Sequence, residues 1–187
     1  MKIAVIGGIG SGKSRVIDCI KELGERACDC DAIYREIVSQ EDYIERVSKA
    51  FGVVKDGVID KKLLAQIVFS DKAKLKELGE LAHPLIFDKV HKIYEEQKSN
   101  LYIEVSAFDL SMKKYFDEIV YVKCKLDKRV ERVKIRNNLE EDYIFSIISS
   151  QLSDSEMESV ADFIIVNDGT LEELSEQVEH LIAFHAF

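Results

Sequence analysis

Gly7-Gly8-Ile9-Gly10-Ser11-Gly12-Lys13-Ser14 decides how this chain is read. The octet fits G-x-x-x-x-G-K-[ST], and it follows a short apolar run, residues 3–6, of the kind that forms a buried strand. Behind it Val16, Ile17, Ile20 and Leu23 recur at helical spacing, and Gly24 stands where such a helix would be capped. Strand, glycine loop and helix in that order form a phosphate cradle. Glycines let successive N–H groups turn inward with no Cβ in the way, and the helix adds the positive end of its dipole. The pattern assigns Gly8, Gly10, Ser11, Gly12, Lys13 and Ser14 to the phosphates of ATP. Lys13 would reach the β- and γ-phosphates, and the Ser14 hydroxyl would ligate Mg²⁺.

The rest of the composition sets bounds around that loop. The chain has 187 residues, enough for one sizeable α/β domain, and residues 7–12 hold four of its nine glycines. Lys and Arg number 26 against 35 Asp and Glu, a net charge of −9 that disfavours nucleic acid or an anionic membrane as partner. No apolar run approaches the roughly 18–20 residues of a spanning helix, and residues 3–6 are too few for a secretory signal. Cys28 and Cys30 form a lone C-x-C without a second pair, so all four cysteines read as free thiols in a reducing cytosol. The expectation is a soluble cytoplasmic protein.

Residues 2–6, 26–30, 101–108, 118–125 and 163–167 read as strands separated by helical stretches. That alternation predicts a three-layer α/β fold with a five-stranded parallel sheet and helices on both faces. Residues 32–96 are mostly helical with a break at 51–57, too long for one crossover, and so predict a helical lobe inserted into a single domain spanning 1–187. Asp71 reads as the N-cap of a long helix that Pro84 should end or kink. Residues 127–160 are helical and highly charged. Thr170 with Glu173 makes a capping box for a last helix whose apolar positions are Leu171, Leu174, Val178, Leu181 and Ile182.

Neither N/T-K-x-D nor D-x-x-G occurs, which argues against a guanine-nucleotide switch, and the chain is short for a motor; a small-molecule kinase remains. Cys28-Asp29-Cys30-Asp31 places both aspartates on one side of a strand end at period two. A carboxylate there can hold Mg²⁺ through water or take the proton of an attacking hydroxyl, or Asp31 simply caps the following helix. From Lys123 to Arg136 seven basic residues face two acidic ones. This run is either a solvated helix face or a lid that meets polyphosphate, with Arg132 and Arg136 on one side at i and i+4.

The sequence resembles the dephospho-CoA kinase family over most of its length, in five ordered blocks. They are the glycine octet; Asp29-x-Asp31 followed by Arg35; Phe51-Gly52, Asp56-Gly57, Ile67-Val68-Phe69 and His83-Pro84; Arg132, Arg136 and Gln151; and Ala161-Asp162-Phe163-Ile164-Ile165 with Asn167 and Gly169. The resemblance implies transfer of the ATP γ-phosphoryl group to the ribose 3′-hydroxyl of dephospho-CoA, the step that completes coenzyme A. It implies Lys13, Asp31 and Arg136 as catalytic residues, Asp31, Arg35 and His83 toward the acceptor, and a helical acceptor lobe at about 32–96. It further implies a lid at about 127–157, Arg132, Arg136, Asn167 and Gly169 on the lid and adenine side, and Ser14 with Asp31, through water, beside Mg²⁺. The chain departs from the family pattern at Ile6, at Lys61, and at Glu104-Val105-Ser106-Ala107-Phe108-Asp109, which leaves Glu104 rather than Asp109 on the Mg²⁺ side. A nucleoside or nucleotide kinase and a non-catalytic nucleotide-binding module are the competing readings. His83 competes as a buried structural residue beside a helix-kinking proline, and Arg35 as a surface ion pair. His91, His180 and His185 read as structural or exposed, and Phe51, Phe69, Phe87 and Phe108 as core.

Overall fold

The computed structural model describes residues 1–186, with the side chains of Phe69 and Lys72 left aside. The chain divides into two compact units, one formed by residues 1–29 and 97 onward, the other by residues 30–96.

The first unit is built on five strands, β1 (Lys2–Ile6), β2 (Arg26–Asp29), β5 (Leu101–Glu104), β6 (Glu118–Lys123) and β7 (Phe163–Val166). All pair in parallel, in the order β2-β5-β1-β6-β7. The parallel sheet predicted from the apolar runs is therefore present, with helices on both sides. Two runs stop earlier than their hydrophobicity suggests. Val105 and Phe108 are buried but lie beyond β5, and Cys124 is buried beyond β6, because apolar character reports burial rather than ladder pairing. Central β1 is fully buried from Ile3 to Ile6, as a strand covered on both faces must be. On one side α1 (Lys13–Glu22) packs against α9 (Leu171–His185), where Val16, Ile17 and Ile20 meet Leu174, Val178 and Leu181. The Thr170 capping box starts α9 as predicted, whereas Leu171 is exposed. The charged stretch resolves into α6 (Leu126–Asn137), α7 (Glu141–Ser150) and α8 (Asp154–Val160).

The second unit holds α2 (Cys30–Ile37), α3 (Glu41–Phe51), α4 (Lys61–Ser70) and α5 (Lys72–Glu95). The expected break at 51–57 is a β-hairpin, β3 (Val54–Lys55) and β4 (Val58–Ile59), turning at Asp56 (φ 51°) and Gly57 (φ 76°). Positive φ at both central residues is the favoured two-residue hairpin geometry. Asp71 caps α5 by accepting from the N–H groups of Ala73 and Lys74. Pro84 does not end this helix, which runs unbroken from Lys72 to Glu95. The proline removes one hydrogen bond, to the Glu80 carbonyl, while Ala82, Ile86, Phe87 and Val90 hold the flanking turns by burial. Phe87 and Phe108 are core residues as expected and Phe51 is half-buried; Phe69 lies outside the described side chains.

Candidate active site

The glycine loop leaves the carboxyl end of β1, where the strand order reverses between β5 on one side and β6 on the other. Open α/β sheets bind ligands at this crevice. Gly8 O accepts the Ser11 N–H at 3.1 Å, which closes a turn over Ile9 and Gly10, and Gly12 then enters α1 at φ 95°. The first turn of α1 contains no acidic residue to compete for its N–H groups. Lys13 is buried and folds back on the loop, its Nζ donating to Gly7 O at 2.9 Å. Ser11 Oγ is buried and, among the described residues, has no hydrogen-bond partner, an orphaned polar atom inside the cradle.

A cavity of about 440 Å³ opens over the loop. Gly10, Gly12, Lys13, Ser14, Arg132 and Arg136 line it, joined by Glu104 and Gln151. Arg132 and Arg136, one helical turn apart on α6, are thus brought to the same space as the phosphate loop. Arg132 is held by two bonds, NH1 to Cys124 Sγ at 3.3 Å and NH2 to Asn167 O at 3.1 Å. Ser14 Oγ donates to Glu104 Oε1 at 2.7 Å. Register explains that contact, since Glu104 pairs with Val5 of β1 on one side and Asp29 of β2 on the other, all at the carboxyl edge. Asp109, by contrast, caps the 3₁₀ segment Leu110–Tyr115 by accepting from the Ser111 N–H and hydroxyl.

Asn167 and Gly169 have local reasons for their identity. Asn167 Nδ2 donates to Ser11 O at 2.8 Å, so this buried amide holds the phosphate loop from the β7 side. A Cβ at Gly169 would meet the Glu173 carboxylate of the α9 capping box at 1.6 Å.

Asp31, Arg35 and His83 belong to the helical unit. The strand reading of Asp31 needs correction, because β2 ends at Asp29 and the chain is helical from Cys30. Period-two alternation no longer applies, and Asp31 sits within the first turn of α2 rather than capping it. Arg35 Nε donates to the Asp31 carbonyl at 3.2 Å within the same helix. His83 is half-buried, its ring tilted 58° against Phe87 at 6.1 Å.

Two residues of this site are missing from the sequence reading. Arg129 is 4% exposed, and its Nε donates to Ile9 O at 3.1 Å while NH1 contacts Asp154 Oδ1 at 3.2 Å. Within the basic run it looks like one more solvated charge. Its spacing of four from buried Val133 is the signal that places it on the inner face of α6. Asp154 is the other, at the start of α8, where Tyr121 also donates to it at 2.9 Å.

A parallel sheet carrying a phosphate loop at its switch point, with two arginines of α6 lining the cavity over the loop, defines a phosphate-loop kinase. Solved structures share the architecture. TT1252 from Thermus thermophilus is 26% identical with a TM-score of 0.83, over 98% of this chain and 97% of that one. The dephospho-CoA kinase from Campylobacter jejuni, at 24% identity and a TM-score of 0.69 over 98% and 96%, shares the fold. The chain belongs to the dephospho-CoA kinase family, which matches residues 1–173. The dephospho-CoA kinase of Fusobacterium nucleatum subsp. nucleatum is 36% identical to it over 192 residues, covering 96% of this chain and 95% of that relative. Membership makes it a kinase that transfers phosphate to an alcohol group.

Proposed function

We propose that this protein transfers the γ-phosphoryl group of ATP to the ribose 3′-hydroxyl of dephospho-CoA, giving coenzyme A and ADP. The observation that carries this reading is the gathering of Lys13, Ser14, Arg132 and Arg136 around one cavity in a chain matched along nearly its whole length by that family. Phosphoryl transfer is mostly positioning and charge neutralisation, and these groups supply both.

In this reading the loop amides and Lys13 hold the ATP phosphates, Lys13 exchanging its bond to Gly7 O for phosphate oxygens. Arg132 and Arg136 neutralise charge developing on the transferred group, with Arg132 kept in place by Asn167 O and Cys124. Asn167 and Gly169 border the adenine side. The helical unit serves the acceptor through Arg35 and His83, and Asp31 orients the 3′-hydroxyl and takes its proton.

The oxygen donors at the loop fit Mg²⁺, for the Ser14 hydroxyl and the Glu104 carboxylate already lie 2.7 Å apart. Among the described residues no group of three His, Cys, Asp or Glu could hold a metal, which suits an ion that takes one or two protein oxygens and the rest from phosphate and water. Ser14 and Glu104 would hold it; when bound, it would offset the negative charge of the phosphates. Four free cysteines fit a reducing compartment, and among the described residues no helix is long and apolar enough to cross a membrane. We therefore place the protein in the cytoplasm, acting on small molecules.

The deciding measurement is ADP release with ATP–Mg²⁺ and a panel of dephospho-CoA, nucleosides and nucleotides. Release that depends on dephospho-CoA is expected. Turnover only with a nucleoside or nucleotide would make the protein another small-molecule kinase, and ATP binding without acceptor-dependent turnover would make it a binding module.

A further inference from the structure

Ile9 forms the apex of the phosphate loop, and side chains occupy both of its backbone polar groups. Its N–H donates to Gln151 Oε1 at 2.9 Å, and its carbonyl accepts from Arg129 Nε at 3.1 Å. Neither partner is near in sequence. Arg129 lies on α6, and Gln151 follows the end of α7.

The turn they grip has two forms. Gly8 O accepts the Ser11 N–H, so Ile9 and Gly10 are its central residues. Gly10 has φ 78°, and Ile9 is not among the residues of positive φ, which is the type II pattern. Types I and II differ chiefly by a flip of the central peptide, the one joining Ile9 C=O to Gly10 N–H. The carbonyl and the N–H of a planar trans peptide point in opposite directions. A donor that pins Ile9 O therefore turns Gly10 N–H the other way, and Gly10 lines the cavity that would receive phosphate.

We propose that Arg129 and Gln151 are positioning residues that lock the Ile9–Gly10 peptide with its Gly10 N–H presented to the ATP phosphates. This assignment rests on the kinase reading above.

Burial makes the lock rigid. The Arg129 side chain is 5% exposed, and Asp154, itself bonded by the Tyr121 hydroxyl, fixes its NH1. The guanidinium lies directly against the loop, since a Cβ on Gly8 would fall 2.0 Å from Arg129 NH2. Gly10 is crowded too, with the Arg129 carbonyl 2.5 Å from where its Cβ would be. The glycines at these positions thus make room for an arginine below the loop as well as for phosphate above it. Because Arg129 and Arg132 share α6, the helix that carries a lid arginine over the cavity also sets the peptide at the cavity floor.

The test compares the intact wild-type enzyme with Arg129→Gln, Arg129→Lys and Gln151→Ala, using ATP–Mg²⁺ with dephospho-CoA and ATP alone by calorimetry. Misplacing one phosphate donor by about an ångström costs on the order of 100-fold in rate, so Arg129→Gln should lower kcat by about that factor. ATP affinity should fall about tenfold, while KM for dephospho-CoA stays within threefold, a split that general loss of folded protein does not produce. Arg129→Lys keeps a donor and the charge facing Asp154 and should recover at least a tenth of the wild-type rate. Gln151→Ala, at a half-buried position, should lower kcat about tenfold. Turnover within threefold of wild type in Arg129→Gln overturns the proposal, as does Arg129→Lys faring no better than Arg129→Gln. Should Arg129→Gln not fold, Gln151→Ala decides alone, and unchanged turnover there overturns the lock. If the wild type itself forms no ADP with dephospho-CoA, the kinase reading fails, and ATP affinity that is unchanged in Arg129→Gln and in Gln151→Ala then removes the lock independently.

Discussion

At Gly12 two constraints meet in one residue. Its φ of 95° lies in the left-handed region, and a Cβ there would fall 2.0 Å from Asn167 Nδ2. The backbone term alone costs a residue with a side chain roughly 1–2 kcal/mol. Displacing Asn167 also frees Ser11 O, which that amide holds. Gly12→Ala should therefore lose ATP affinity by at least about tenfold, and adding Asn167→Ala should restore little, because the backbone strain remains; calorimetric titration of both variants checks this. Arg136 has a different task. It is exposed and lines the cavity, and among the described residues its one hydrogen bond runs from Nε to Asn137 Oδ1 at 2.8 Å. In the proposed mechanism such a charge acts late, when the γ-phosphoryl group moves. Arg136→Ala should lower kcat about 100- to 1,000-fold and leave KM for ATP within threefold. A change confined to KM would remove Arg136 from the transition state.

Among the elements, α6 carries Arg132 and Arg136, two of the cavity's four cations, and its start depends on the segment after β7. Asp168 Oδ1 accepts the Lys125 N–H at 2.8 Å, and Lys128 donates to the Asp168 carbonyl. The bond from the Lys125 N–H is the main reason the Asp168 carboxyl is held below its usual range. A carboxylate favoured in this way adds stability above its unfolded pKa and loses it as pH falls through the lower folded value. Asp168→Asn keeps an acceptor but removes the charge from the positive end of α6. The variant should melt roughly 1–4 °C below wild type at pH 7. That gap should stay level from pH 5 to 8 and close as pH drops below about 4. A gap that persists at pH 3 would place the effect in packing instead. How legible each element is in the sequence follows from what specifies it. The phosphate loop is local, written in residues that force the backbone into one shape, so Gly7 to Ser14 can be read directly. The hairpin at Asp56-Gly57 is equally local, and its dipeptide is a sufficient signal that the helical reading of the region passes over. The helical start at Cys30 carries no such mark. Alternation of Cys28, Asp29, Cys30 and Asp31 continues past the point where β2 loses its partner β5 at Glu104, and only the ladder decides where the strand stops. Arg129 is hidden because burial of an arginine needs Asp154 and Ile9 O, 25 and 120 residues away.

For the molecule as a whole, long-range polar contacts matter in the same way at the opposite end of the sheet from the phosphate loop. The charge of −9 describes the entire chain, yet the cavity over the loop is lined by Lys13, Arg15, Arg132 and Arg136, with Glu104 as the one carboxylate among the described residues. Far from those cations, His185 near the end of α9 joins two strands. Its Nδ1 pairs with the Tyr102 hydroxyl of β5 at 2.7 Å, and its Nε2 with Glu118 Oε2 of β6 at 2.8 Å. Asn100 adds a bond from its Nδ2 to the His185 carbonyl at 3.1 Å and receives the terminal ammonium of Met1. The imidazole is 1% exposed and touches the rings of Phe163 and Phe184. It is structural, as the sequence reading allows, though nothing in the periodicity of α9 names its partners. Truncating it would leave the Tyr102 hydroxyl buried without a partner, at a cost of about 1–3 kcal/mol, in addition to lost ring packing. His185→Ala should therefore destabilise by roughly 2–4 kcal/mol, a fall in Tm of about 5–15 °C at this chain length. Tyr102→Phe removes the stranded hydroxyl, so in the His185→Ala background it should cost less than it does in the wild type, a coupling of about 1 kcal/mol. Denaturant melts of the four proteins measure that cycle directly. Strict additivity would mean that the hydroxyl finds water once the imidazole is gone, and that α9 is held by its apolar face alone. Turnover at 25 °C should be the same in all four, since none of these groups reaches the cavity.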